Sequence, residues 1–125
     1  PAGMKGLVEK IKEILGDNVQ DVKVSTKLVD SACCLVAPDT GMDVQMERIM
    51  KIQNKDFKGM PRILEVNPDH NIIKKLNKIK DSDKDALNDA SFLLFDQAKM
   101  VEGELPQDIA KFNQRMSKFL GLALG

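Results

Sequence analysis

Few side chains in this sequence could do chemistry. His70 is the sole histidine and follows Asp69. An imidazole beside a carboxylate can act as a general base, but it needs a nucleophile or a held water to act on. No Ser or Cys stands in a motif that would pair with it, so a catalytic triad is not supported. Cys33 and Cys34 are the only cysteines and are adjacent. Neighbouring thiols frame neither a disulfide scaffold nor a spaced metal site, and they suit a reducing compartment. Within an uncharged apolar run they read as small core or sheet-facing side chains. Asp81, Asp83 and Asp85 alternate but lack the glycine and terminal glutamate of a calcium loop. Gly41, Gly59 and Gly103 stand alone, so neither the phosphate-loop nor the dinucleotide spacing exists. The expectation is a chain with no catalytic residue, no metal ligand and no cofactor of its own. A small α+β enzyme using His70 and Asp69 is the enzymatic alternative, and it requires a cleft joining that pair to other polar groups.

Composition excludes further classes. Lysine plus arginine balances aspartate plus glutamate at 19 each, which gives no net field to recommend nucleic acid or acidic lipid. Five Phe with no Trp or Tyr leave little to stack on bases. The expected partners therefore include neither nucleic acid nor membrane. With 125 residues, 42% hydrophobic and 30% charged, the chain is expected to form a single globular domain over 1–125. No apolar run approaches the roughly 20 residues of a membrane span, and no secretory leader is expected ahead of the first helix. Pro1, Ala2 and Gly3 look like a cloning remnant or a cut end.

The elements follow from periodicity. Met4, Leu7, Val8, Ile11, Ile14 and Leu15 recur at helical spacing, and Gly16 closes that helix. Val22 and Val24 then alternate with Asp21, Lys23 and Ser25 as a half-buried strand. Residues 32–37 form an apolar run taken as the adjacent strand, antiparallel because the link is short. After turn chemistry at 38–41, with Thr40 or Asp43 as a cap, Met42, Met46, Ile49 and Met50 share one side of a short helix. Such a stripe is either core or a contact surface. Its isolation between a turn and a polar stretch, and its adaptable thioethers, favour contact with varied partners. Residues 62–66 are a third strand. Asn67 and Pro68 read as cap and first residue of a helix carrying Ile72, Ile73, Leu76 and Ile79. Ser82 and Asp85 can form a capping box for the next helix.

Two apolar patterns close the chain, at 86–101 and 106–122, hinged at Glu102, Gly103 and Glu104. At roughly 100° per residue, Leu87, Ala90, Leu94, Ala98 and Val101 make one stripe, with Leu93 and Met100 on one flank and Phe95 on the other. The arc spans about 220°, where one core needs little more than about 100°. Such a helix is covered from two sides: by its own domain and a second copy packed as a four-helix bundle, or wholly within one domain. The last helix carries Ile109, Phe112, Met116, Phe119, Leu120 and Ala123 opposite Lys111, Gln114, Arg115 and Lys118. The fold class is α+β: a small three-stranded, mostly antiparallel sheet with helices, ending in a helical hairpin.

Four ordered blocks, DVKVSTKLVDSACCLVA at 21–37, GMDVQMERIMK at 41–51, RILEVNPDHNIIKKL at 62–76 and LLFDQAKMVEG at 93–103, resemble the C-terminal domain of the ninety-kilodalton heat-shock chaperone family, closest to its bacterial branch. The resemblance covers nearly the whole chain. It implies a homodimerisation domain of a stress-response chaperone, in which the hairpin forms a four-helix bundle with its partner's through Leu87, Ala90, Leu94, Phe95, Ala98, Val101, Ile109, Phe112, Met116, Phe119 and Leu120. It also implies contact with unfolded or partly folded client proteins through Met42, Met46, Ile49 and Met50. The domains that bind ATP and magnesium are expected outside these residues, so this stretch is not expected to be an enzyme. Leu105 to Asp108 departs from the family's usual acidic-Pro opening of the last helix, which leaves its start open by a few residues. The tail lacks an acidic co-chaperone signal and an endoplasmic-reticulum retention signal, so the expected location is the bacterial cytoplasm. A stand-alone interaction adaptor of the same fold is the alternative reading.

Overall fold

A computed structural model describes residues 2–26, 30–37, 49 and 61–125. Among them are four α-helices and one three-stranded sheet: α1 (Lys5–Leu15), β1 (Asp21–Val24), β2 (Cys33–Val36), β3 (Ile63–Val66), α2 (Asn71–Ile79), α3 (Lys84–Val101) and α4 (Ile109–Leu124). The α+β expectation is met. Met42, Met46, Met50 and the proposed caps Thr40 and Asp43 lie outside the described residues.

The first helix forms as its spacing requires. Leu7, Ile11 and Leu15 are buried, and Gly16 at φ 54° closes the helix with its N–H donating to the Lys12 carbonyl. A left-handed residue at that point costs a side-chain-bearing residue about 1–2 kcal/mol and glycine almost nothing.

The sheet corrects two expectations. β1 and β2 are not neighbours, and the sheet is mixed rather than mostly antiparallel: the order is β1, β3, β2, with β3 parallel to β1 and antiparallel to β2. The link between β1 and β2 has only to cross two strand spacings, about 10 Å, which its length allows. In the middle, β3 is paired on both edges and is the most buried strand: Ile63, Leu64 and Val66 are 3%, 0% and 0% exposed. The ladder extends past the strands through Gln20 N–H to the Arg62 carbonyl, Ser25 N–H to Val66 and Asn67 N–H to Ala32. Register places Val22, Leu64 and Leu35 in one row and Val24, Val66 and Cys33 in the next, all packed in or against the core. Asp21, Lys23, Glu65 and Cys34 alternate to the opposite face, as the sequence period implies.

Both later helices begin away from the caps read from sequence. Asn67 shapes the turn before α2, accepting from the Asp69 N–H at 3.0 Å, and His70 is the cap, its Nδ1 accepting from the Ile72 N–H at 3.1 Å. A proline two residues ahead of the cap, as Pro68 is, favours the turn as readily as a first helical position. Ser82 does not cap α3. Asp83 does, accepting from the Ala86 N–H at 3.1 Å.

Candidate functional site

α3 is the central element, and its three faces differ. At about 100° per residue, one side gathers Leu87, Ser91, Leu94, Phe95 and Ala98. These are buried in the core beside α1 and β2. Ser91 is fully buried and satisfied within its own helix, its Oγ donating to the Leu87 carbonyl at 2.7 Å. A second side carries Ala86, Ala90, Leu93 and Gln97. A third carries Asp89, Phe92 and Asp96. The arc read from sequence covers the first two sides, and α4 docks on the third.

The contact between α3 and α4 sets polar pairs among the apolar residues that the sequence suggested. Asp108 caps α4, accepting from the Lys111 N–H at 3.0 Å, which settles the start of that helix. The half-buried residues of α4 are Phe112, Arg115, Met116 and Phe119, a narrow seam at i, i+3, i+4 and i+7. Arg115, expected on the solvated face, belongs to this seam. Its guanidinium lies 4.4 Å from the centre of the Phe92 ring, and its Nε sits 3.4 Å from Asp89 Oδ1. Lys118 Nζ donates to the other Asp89 oxygen at 2.8 Å. The Arg115 and Asp89 side chains are 17% and 18% exposed, so water screens this pair only partly. The Asp89 carboxylate in turn raises Lys118 above the usual lysine value. Asp96 is buried on the same face. Burial pushes its carboxyl above the usual range, and Lys99 and Arg115 pull the other way without prevailing.

The second side of α3 is only partly covered: Leu93 is buried, Ala86 and Ala90 are half-buried and Gln97 is exposed. Between α2, α3 and α4 runs an apolar groove of about 400 Å³, floored by Ala86, Ala90, Leu93 and Leu94 and walled by Ile72, Leu76 and Ile79 on one side and Met116 and Phe119 on the other. Ile72, one of the apolar residues that the sequence places on this helix, is 45% exposed on this wall. Next to the seam on α4, about 100° round the helix, Ile109, Leu120 and Leu124 form an apolar edge that is 52%, 54% and 86% exposed. Val101 and Leu105, 84% and 72% exposed, continue the apolar surface at the hinge.

The residues expected to meet a partner therefore divide. Leu87, Leu94, Phe95 and Ala98 are 2%, 5%, 8% and 3% exposed, already covered by the chain itself, and have little surface left to lose. Ala90, Phe112, Met116 and Phe119 are half-buried, while Val101, Ile109 and Leu120 stand free. Of the four residues expected to touch clients, only Ile49 is described, and it is 48% exposed. His70 is half-buried and engaged as a helix cap. Among the described residues no group of His, Cys, Asp and Glu could hold a metal ion. Burial, with the neighbouring Cys34, pushes the Cys33 thiol up to about 12, so it stays protonated and inert at neutral pH. No helix among the described residues is long and apolar enough to cross a membrane.

Asp89, Asp96 and Arg115 were missed by reasoning from sequence. The signal was present: the two aspartates stand seven residues apart on one helical face, and Arg115 falls three residues after Phe112. A search for apolar periodicity passes over charges in seam positions.

The Hsp90 protein family model matches residues 2–125. The Chaperone protein HtpG of Mesorhizobium japonicum is 39% identical over 122 residues, covering 96% of this chain and 19% of that protein. That of Burkholderia ambifaria is 41% identical over 117 residues, covering 94% and 18%. That of Paramagnetospirillum magneticum is 45% identical over 112 residues, covering 88% and 18%. The chain thus spans about a fifth of the length of the curated relatives it matches.

Proposed function

The chain belongs to the Hsp90 protein family, and from that premise we propose that it is the homodimerisation module of an ATP-dependent chaperone of the bacterial cytosol. In this reading ATP and magnesium are handled in the four-fifths or so of the relatives' length that the chain does not span. The module itself performs no chemistry. It holds two copies of the whole protein together.

One observation carries the proposal. No residue of the 16-residue α4 is buried, although Ile109, Leu120, Leu122 and Leu124 are all apolar and more than half exposed. Exposed apolar area of that extent on one helix, beside an open apolar groove, is characteristic of an association surface. The occupant is the α4 hairpin of a second copy, because a two-fold axis lets groove and helix edge on each protomer serve both sides of one interface. Light scattering of the 13.9 kDa chain at tens of micromolar is expected to give about twice that mass. Leu120→Glu with Leu124→Glu is expected to give folded monomers, since charge on an exposed helix edge leaves the protomer intact but cannot be desolvated in the dimer. A wild-type monomer, or a charged double variant that stays dimeric, would sink the proposal. Leu94→Glu and Ala98→Glu are poorer tests, because those positions lie in the protomer's own core.

Client contact through Met42, Met46, Ile49 and Met50 is the second part of the reading, supported by the exposure of Ile49. Ile49→Ser is expected to weaken capture of an unfolded protein without altering dimer mass. Unchanged capture would remove Ile49 from the client surface.

A further inference from the structure

The α3–α4 contact poses a question that dimerisation alone does not answer. α3 offers two apolar sides and one side bearing two aspartates, yet α4 docks on the side with the aspartates. An amphipathic helix left to hydrophobic forces would turn its apolar edge into the nearest apolar groove. Here that groove is adjacent, and Met116 and Phe119 already reach its wall. Filling it from within one protomer would hide the half-buried floor at Ala86 and Ala90.

We propose that Arg115 is the positioning residue that holds α4 off the groove and so keeps the surface open for a second copy. This rests on the reading of the chain as a dimerisation module. Arg115 supplies two directional contacts at once, an ion pair with Asp89 at 3.4 Å and a stack on Phe92 at 4.4 Å. Lys118 grips the second Asp89 oxygen one turn further on, at 2.8 Å. Asp96, seven residues after Asp89, places a second carboxylate within the electrostatic reach of Arg115. A planar guanidinium suits this combination of ring face and carboxylate; an ammonium cannot do both. A charged group at a seam position is not the most stabilising choice, and its best-attested use is to fix register and orientation against alternatives that are equally apolar. Rolling α4 into the groove would strand Arg115 away from Asp89 and Phe92, which is the penalty that keeps the hairpin in its open arrangement.

The test is Arg115→Met, which keeps the length and apolar stem and removes the charge. The expected result is a thermal midpoint that, on the monomeric Leu120→Glu with Leu124→Glu background, equals or exceeds that of the background, and, in the otherwise wild-type chain, a dimer dissociation constant, by sedimentation, that rises by roughly tenfold or more. Asp89→Asn is expected to shift affinity in the same direction, and Arg115→Lys to fall between wild type and Arg115→Met. If Arg115→Met dimerises as tightly as wild type, the inference is overturned while the proposed function stands. If it fails to fold, the inference is also overturned, because Arg115 would then be holding the protomer together. A wild-type chain that is itself monomeric overturns the proposed function and this inference with it.

Discussion

Asp96 shows how one side chain can record a conflict. It is 7% exposed, and burial raises its carboxyl above the ordinary value of 3.8 although Lys99 and Arg115 both favour the charged form. The ionised group is therefore a net burden on the folded state at neutral pH. A raised folded-state value means that this burden is complete above that value, lessens as pH falls through it, and vanishes below the unfolded value. Asp96→Asn is expected to stabilise the protomer at neutral pH, with the difference from wild type closing as the pH approaches the ordinary carboxylate range. Urea unfolding at several pH values, on the folded monomeric background of Leu120→Glu with Leu124→Glu, measures this directly. Destabilisation at neutral pH would mean that attraction to Arg115 and Lys99 outweighs desolvation. At this scale the sequence was legible where a residue's role follows from its apolarity, as at Leu7, Ile11 and Leu64. It was not legible at Asp96, Ser91 or Arg115, whose placement depends on what the next helix brings to them.

At the scale of elements, existence and period were readable and junctions were not. All four described helices and all three strands lie within a few residues of where the pattern placed them. The strand order could not follow from local spacing, because which strand takes the centre depends on how much apolar surface each one offers to both edges. The caps moved for a related reason: Asn67 and Ser82 are good cap residues, but His70 and Asp83 stand where the helices actually begin. The hinge after α3 was readable because glycine is required there. Gly103 has φ 83°, and the turn closes by Gly103 N–H to the Met100 carbonyl and Glu104 N–H to the Lys99 carbonyl, both at 3.0 Å. This double closure is a Schellman arrangement, and it aims the chain back along α3. Arg62 pairs with Glu104 and ties the same hinge to the start of β3. Gly103→Ala is expected to cost about 1 kcal/mol and Gly103→Asn less, because asparagine tolerates the left-handed conformation. Urea midpoints of the two variants, again on the monomeric background, check the order. Equal stabilities would mean that the turn relaxes to negative φ without loss.

For the whole molecule, the apolar arc of α3 was correct in extent, and its coverage is divided. The chain's own α1 and β2 take the core half, and the groove half remains open beside the exposed edge of α4. A protomer in that state has less of its apolar surface withdrawn from water than its fold could hide, so its stability should depend on how often it meets another copy. Association removes that surface only from the native state, and mass action then raises the unfolding midpoint with protein concentration. For a chain of this length the rise is roughly 3 °C per tenfold in concentration if two protomers unfold together. Calorimetry across two decades of concentration reads it without any assumption about the geometry of the interface. The Leu120→Glu with Leu124→Glu variant should lose the dependence and melt at one temperature throughout. A midpoint that does not move in wild type would mean that the open groove and the α4 edge are stable in water alone, and the reason for placing a second copy there would be gone.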